Sequence, residues 1–570
     1  MSPSFFPYFS FREVLVDLSL VVCLVVAWYA PQLGERTLGM AERFGTRFAQ
    51  KKSLSILTIA IVPILMRVSL LGLIPVPVPA IMDEFSYLLA ADTFAHGRLT
   101  NPPHAMWVFF ETVHVNQHPT YMSKYPPAQG AVLALGQVIA HPWIGVLLSV
   151  SAMCAATLWM LQGWFPPKWA LLGATLVVLR LGMFSYWINS YWGGAVAATG
   201  GALVMGALPR ILRHQHPRDA LFLGLGVAIL ANSRPFEGFI LCLAAAAVLT
   251  TWLFSKRSPS RRVTLLRVVL PLSGVLLLTA VFLGYYNWRG TGNVFLFPYV
   301  VNDQTYLNTP SFVWQKAPPP LHYLNPQLDS VYNGWARTYW KQHTFDGTWH
   351  FVNHIKFVVI KFVYFFMWPE LCVPLLALPW LLRDRKIRFL IVAWLFCFLG
   401  LLAVVWSQPH YAAPMTAILF ALVVQAFRHL RRWEFGGRPV GRGLSRVAVL
   451  FAAGMVLVYM AEAFRNPYSA SFVAPAGVWS SHGLRARAQI EEQLGAMSGE
   501  HLVIVRYSIG QDPGGEWVYN RADIDHAKVV WAREIPGLDL EPLMHYFKGR
   551  RVWLLEPNVS SPRLTTYPTP

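Results

Sequence analysis

Charge is what this sequence has least of. Of 570 residues only 13% are Asp, Glu, Lys or Arg, about half the roughly 25% of an ordinary soluble domain. At 55% apolar residues, the chain cannot cover a water-facing surface, which excludes a soluble enzyme and a disordered tail protein. Cysteine is scarce too. Cys23, Cys154, Cys242, Cys372 and Cys397 all lie inside apolar runs without a CxxC pair, so they read as small buried hydrophobes and exclude a disulfide scaffold. No phosphate-cradling GxxxxGK[ST] loop, GxSxG elbow, dinucleotide glycine fingerprint or HExxH is present, so soluble nucleotide chemistry has no support. His104, His114 and His118 lie among Pro102, Pro103 and Pro119. The prolines keep the three from sharing one helix, and they are not read as a metal site.

What is present is hydrophobic length. Apolar runs able to cross, or nearly cross, a hydrocarbon core of about 30 Å occupy 14–30, 54–74, 142–163, 169–187, 193–209, 219–232, 236–254, 264–287, 352–380, 388–406, 410–427 and 445–465. The expectation is an all-α polytopic membrane domain of about twelve transmembrane helices. The run 14–30 lacks a basic leader and an A-x-A site, so it is kept as a helix that crosses the membrane or lies at its interface. Aromatic residues, 14% of the chain, suit a protein that meets both lipid and headgroups.

The net charge of +19 is dispersed in short clusters between those runs. It reads as a topology signal with attraction to anionic membrane lipids, not as a nucleic-acid surface. The segments 32–53, 164–168, 210–219, 255–267, 383–388 and 428–446 together hold 24 Lys and Arg, while the short opposite loops 188–192, 233–238 and 407–410 hold one, Arg234. That asymmetry assigns the basic segments to the cytoplasm. It also requires 127–140 (PAQGAVLALGQVIA) to be an amphipathic or re-entrant piece, since a full crossing there would turn every later basic loop outward. Three large segments then face out: 75–141, 288–351 and 466–570.

The domain reading follows: 1–53, an extra helix and basic cytoplasmic segment; 54–465, the transmembrane domain with outer loops 75–141 and 288–351; and 466–570, a small C-terminal α/β domain. Within the last, helical stretches near 484–497 and 539–547 alternate with the strand patterns HLVIVRY (501–507), AKVVWARE (527–534) and RRVWLLEP (550–557), suggesting a few parallel strands.

Candidate chemistry gathers at the outer side. Asp83 and Glu84 open an expected helix over 84–97. Asp83 is either its N-cap or a reactive carboxylate. Lys124 stands just before Tyr125, Pro126 and Pro127, either a phosphate contact aimed by the stiff prolines or a lysine snorkelling to headgroups. Arg234 is a phosphate ligand or the partner of Glu237. His410 and Tyr411 lie at the same depth in SQPHYAAP. Arg67 and Arg180 sit inside apolar runs, where an arginine faces a cavity or is spent on a structural bridge.

This order of elements resembles the glycosyltransferase C superfamily, in the style of lipid A aminoarabinose transferases and protein O-mannosyltransferases. It does so through Asp83-Glu84 in the first outer loop, Lys124-Tyr125-Pro126-Pro127 beside the family's Lys-Pro-Pro element, and His410-Tyr411 with Pro414 beside a late (Arg/His)-Tyr-x-x-Pro element. The resemblance spans about 54–427. It departs at the helix 14–30, at the inserted Tyr125 and in the C-terminal domain.

The resemblance implies an inverting transfer of sugar from a polyprenyl-phosphate-linked donor to a hydroxyl of a glycan, lipid or protein. The active site would face the periplasm from the inner membrane. Asp83 would be the general base, with Glu84 orienting the acceptor or holding a divalent cation. Lys124, Arg234, His410 and Tyr411 would hold the donor phosphate. Tyr306, Trp335 and Arg337 would close over the sugar from the aromatic loop. Metal dependence stays open, because that superfamily contains both kinds. The rival readings are a lipid-linked sugar transporter or flippase, and a non-catalytic membrane scaffold. No internal two-fold repeat is seen, and the polar groups cluster at one interface instead of the midplane.

Overall fold

A computed structural model describes residues 11–255, 259–345, 347–465, 482–507, 515–557 and 562–568. Among them, seven helices are long and apolar enough to cross a membrane: Lys52–Ser69, Pro142–Trp164, Ala195–His214, Pro235–Leu253, Arg261–Thr291, Pro409–Leu430 and Val440–Arg465. The chain is a multi-pass membrane protein.

The expected single run 352–380 is instead two helices, Thr348–Phe366 and Glu370–Arg383, bent by 108°. Pro369 stands at the break, where it offers no N–H to continue the ladder and biases Trp368 away from helix. Four other expected spans form the helices Phe11–Tyr29, Pro167–Leu181, Pro217–Ala231 and Arg388–Leu402. The last three have 15 residues each, about 22 Å at 1.5 Å per residue, short of the hydrocarbon thickness. Pro127–Ile139, 13 residues, is likewise too short to cross.

Proline sets many of the starts. Pro127, Pro142, Pro167, Pro217 and Pro235 each open their helix, where a missing N–H costs nothing and the fixed φ is already helical. Burial then sorts the helices. Nearly all of the most apolar stretch of Pro409–Leu430 and most of that of Ala195–His214 are buried, whereas Arg261–Thr291 is almost wholly unburied and presents its apolar side chains outward. The two inner helices meet closely at Gly201, where a Cβ would lie 1.9 Å from the carbonyl oxygen of Pro414; a small residue lets the backbones touch.

The expected run 169–187 ends its helix at Leu181. Residues 182–192 follow as a wholly buried, non-helical strap, several of whose polar groups are paired inside the protein. Asn189 Nδ2 donates to the carbonyls of Met183 and Ser185 (both 3.0 Å), and Trp143 Nε1 donates to Ile188 O (2.9 Å).

In the C-terminal region the helix His482–Ala496 precedes a four-stranded sheet in the order Val529–Arg533, His501–Val505, Arg551–Glu556, Arg563–Thr566. The first three strands are parallel; the fourth, absent from the sequence expectation, is antiparallel. The expected stretch 466–481 lies outside the described residues. This unit docks on the first outer loop. Tyr519 stacks on Phe85 with ring centres 4.3 Å apart, Ala522 N donates to Asp92 Oδ2 (2.8 Å), and Arg487 lies over the Phe85 ring at 5.0 Å. Phe85 follows Asp83 by two positions, so the docking fixes the helix that carries the acidic pair.

Candidate functional site

The acidic pair divides its labour in a way its spacing does not reveal. The helix runs Met82–Ala95 with Ile81 at its N-cap, so Asp83 is in the first turn and is not the cap. The free amides at that end are taken by Glu84, whose Oε2 accepts from Ala80 N (2.7 Å) and Ile81 N (3.1 Å) while Oε1 accepts from Tyr191 N (2.8 Å). Glu84 thus ties the proline-rich lead-in and the buried strap to the helix start. With its own turn satisfied by its neighbour, Asp83 is left to face a cavity.

Around Asp83 the structure collects side chains from distant segments. A short hairpin, Val115–Asn116 paired with Met122–Ser123, delivers Lys124 and Tyr125 against the helix. The Tyr125 hydroxyl donates to Asp83 Oδ1, and its ring stacks on Tyr87 (4.4 Å). His114 brings Nε2 to 4.0 Å from Asp83 Oδ2. The backbone of His114 has φ 65°, a left-handed conformation uncommon outside glycine and one that clusters at functional sites. Lys124 Nζ lies 3.9 Å from Asp303 Oδ1 and over the Tyr299 ring at 4.9 Å. Arg234, just ahead of Pro235–Leu253, lies 4.1 Å above the Tyr411 ring. No Arg234–Glu237 ion pair within 4 Å occurs among the described residues.

These groups share one cavity of about 410 Å³. Asp83, His114, Lys124, Tyr125, Arg234, Glu237, Trp335 and Tyr411 all line it, and much of the remaining wall is aromatic: Tyr87, Trp192, Phe236, Tyr299, Phe312, Tyr332 and Trp406. The segment 288–351 contributes a large part of that wall, from Phe297 to Ala336. Sequence reasoning passed over His114, dismissed as a metal ligand, and took Tyr125 for an insertion; the positive φ of a non-glycine residue was not legible in a single sequence.

Other expected residues fall elsewhere, each for a visible reason. Glu84 is 2% exposed and spent on backbone amides. Arg67 is fully buried and clamps the strap, with Nε on Asn189 Oδ1 (2.8 Å) and its terminal nitrogens on Ile74 O (2.9 Å) and Pro75 O (2.8 Å). Arg180 braces the bent helix pair through Glu370 Oε1 (2.9 Å), Phe365 O (2.9 Å), Tyr364 O and the Tyr459 hydroxyl (3.2 Å). Neither arginine lines the cavity. His410 stands one layer behind the wall, with Nδ1 2.9 Å from the Tyr186 hydroxyl and its ring against Trp192 (4.2 Å). Tyr306 donates to Glu111 (3.0 Å), and Arg337 donates to Pro318 O (2.9 Å) at the surface.

The site is buried deeply enough to shift its acids and bases. Burial raises Asp83 above the usual carboxylate range, opposed by the Tyr125 hydrogen bond and by Lys124 and Arg234. Burial pushes Glu84 up to about 7 against the pull of its three amides. It also pushes Asp303 up to about 6 against Lys124, lowers Lys124, and holds His114 well below the ordinary histidine value, as a neutral imidazole. Among the described residues no group of three or more His, Cys, Asp or Glu side chains converges. Glu84 is occupied by backbone amides and Asp303 faces Lys124.

Fold and site together define a multi-pass membrane protein with an aromatic-walled chamber lined by the carboxylates Asp83 and Glu237 and the cations Lys124 and Arg234. No family model and no curated protein matches the chain. Among solved structures it is similar to ArnT from Cupriavidus metallidurans bound to undecaprenyl phosphate (12% identity, TM-score 0.47, covering 88% of this chain and 92% of that one). It is similar to ArnT from the same organism in the apo state (14%, 0.46, 89% and 93%). It is also similar to the oligosaccharyltransferase AglB from Archaeoglobus fulgidus in complex with an inhibitory peptide and a dolichol-phosphate (11%, 0.37, 88% and 69%). With TM-scores below 0.5 these likenesses carry no functional weight.

Proposed function

We propose that this protein is an integral membrane glycosyltransferase. It takes a sugar from a polyprenyl-phosphate carrier and passes it, with inversion, to an acceptor hydroxyl at the periplasmic face of the inner membrane. The observation that carries this reading is the convergence of Asp83, Lys124 and Arg234, remote in sequence, on one aromatic-walled cavity.

Each part of the cavity then has a task. Asp83, raised by burial toward working pH, accepts the proton of the attacking hydroxyl. Tyr125 holds one of its oxygens in place by a hydrogen bond, and the His114 ring stands 4.0 Å from the other. The hydroxyl attacks the anomeric carbon opposite the phosphate, and the carrier leaves as a phosphate anion that needs no proton. Lys124 and Arg234 hold that anion. Aromatic faces such as Trp335 pack on the apolar side of the sugar ring. Glu84, Arg67, Arg180 and His410 act as positioning residues behind the wall.

Substitution Asp83→Asn tests it. Transfer from a polyprenyl-phosphate sugar should fall by orders of magnitude while donor binding persists. Unchanged transfer removes Asp83 as the base. A wild-type protein that consumes no lipid-linked sugar is a transporter or scaffold instead.

A further inference from the structure

We propose that Asp303 is a resident counter-anion for Lys124 that yields to the phosphate of an incoming lipid carrier, taking up one proton from solution as the headgroup seats. The proposal rests on the phosphate-site reading above and adds to it a residue and a proton.

The argument begins with charge. Lys124 and Arg234 face three carboxylates, Asp83, Asp303 and Glu237, around or beside one cavity. A phosphate brings one or two further negative charges into the same enclosed volume. Like charges at such distances cannot all stay ionised where water is excluded. One acid must give way, and the three are not equally supported.

Asp83 accepts a hydrogen bond from Tyr125. Glu237 is in the first turn of Pro235–Leu253, where the free amides of a helix start favour an anion. Asp303 has neither support. Its Oδ1 is buried and accepts no hydrogen bond among the described residues, and its cation, Lys124 Nζ, stands off at 3.9 Å.

That distance leaves Lys124 room for a better partner. Lys124 is 5% exposed as a residue and its ammonium rests over the Tyr299 and Tyr125 rings, so it has few alternatives. A phosphate oxygen at ordinary contact distance would take Lys124 from Asp303 and leave that carboxylate beside a new anion. Its burial has already pushed it up to about 6, so losing Lys124 drives it through neutrality.

The other groups around Asp303 do not replace the lost cation. Tyr299 on its own helix and Tyr332 from the 288–351 segment are phenols whose charge interaction is with Asp303 itself. The strand Val115–Asn116 offers uncharged Asn116, bonded to Asn302 (2.9 Å). From the adjoining helix, Arg289 is turned to the Tyr285 hydroxyl at 3.1 Å. The balance is one proton from solvent on Asp303 per headgroup bound, with no covalent change.

Calorimetric titration of the full-length protein in nanodiscs with undecaprenyl phosphate, in two buffers of different ionisation enthalpy, reads the proton directly. At pH 7 the wild type should take up nearly one proton more than Asp303→Asn. Its affinity should also fall more steeply with pH above about 6, by up to about tenfold per unit, than that of the variant. Proton exchange by the phosphate itself is common to both proteins and cancels. Asp303→Glu, which keeps the carboxylate, should restore the uptake.

Equal uptake and equal pH slope in wild type and Asp303→Asn, with binding intact, overturn the role of Asp303 and leave the phosphate site standing. Failure of the wild type to bind undecaprenyl phosphate overturns both.

Discussion

Removing one hydroxyl, by Tyr125→Phe, should move the acid limb of the transfer rate to higher pH. Tyr125 donates to Asp83 Oδ1, and that bond favours the ionised carboxylate against the burial that opposes it. A hydrogen bond to a charged group contributes about 1.5–3 kcal/mol, and one pKa unit corresponds to about 1.36 kcal/mol. Its loss therefore raises Asp83 by a further one to two units, roughly.

The sign is unambiguous. The donor is removed from the charged form, so the proton is held more tightly and the ionised base appears only at higher pH. Below the limb the variant should be about 10–100-fold slower, and it should recover as pH rises. The ring stays, with its 4.4 Å stack on Tyr87, so folding should be unaffected. The assay is kcat/KM against pH with a polyprenyl-phosphate sugar donor. A uniform loss at all pH values, or displacement of the limb toward acid, would refute the reasoning.

Other perturbations probe the framework. Arg180→Ala strips Glu370 and two carbonyls of their buried partner and should cost about 3–5 kcal/mol, read as a lowered melting temperature in detergent. Gly201→Ala drives a Cβ against the Pro414 carbonyl. It should cost about 1–3 kcal/mol and weaken donor binding by shifting Tyr411, whereas Gly454→Ala, with nothing within 4 Å, should stabilise its helix by up to about 1 kcal/mol. Tyr519→Ala removes the stack on Phe85, about 0.5–1.5 kcal/mol beyond its buried area. It should reduce the transfer rate while undecaprenyl phosphate still binds, and Tyr519→Phe should not.

Much of the architecture is written in composition. Apolar runs mark the long helices, prolines mark their starts, and the strand patterns at 501–507, 527–534 and 550–557 correspond to three parallel strands. That Asp83, Lys124, Arg234 and Tyr411 meet at one level was also legible from their places beside apolar runs, whereas His410, expected with them, stands behind the wall. What stayed hidden is which polar side chain has its partners elsewhere. Arg67 and Arg180 look like cavity residues until the carbonyls they bind come into view. Glu84 looks like the twin of Asp83 until three amides claim it.

Sequence alone determined that this chain lives in a membrane, where it turns, and which ends of its helices carry charge, because hydrophobic length and proline act locally. Only the tertiary structure decided which carboxylate of the pair lines the cavity, which histidine stands beside it, and that Asp303 answers Lys124. Those outcomes depend on which donors and acceptors are left over after distant segments pack, and in a low-dielectric interior each remaining group must be paired, shifted in charge or put to use.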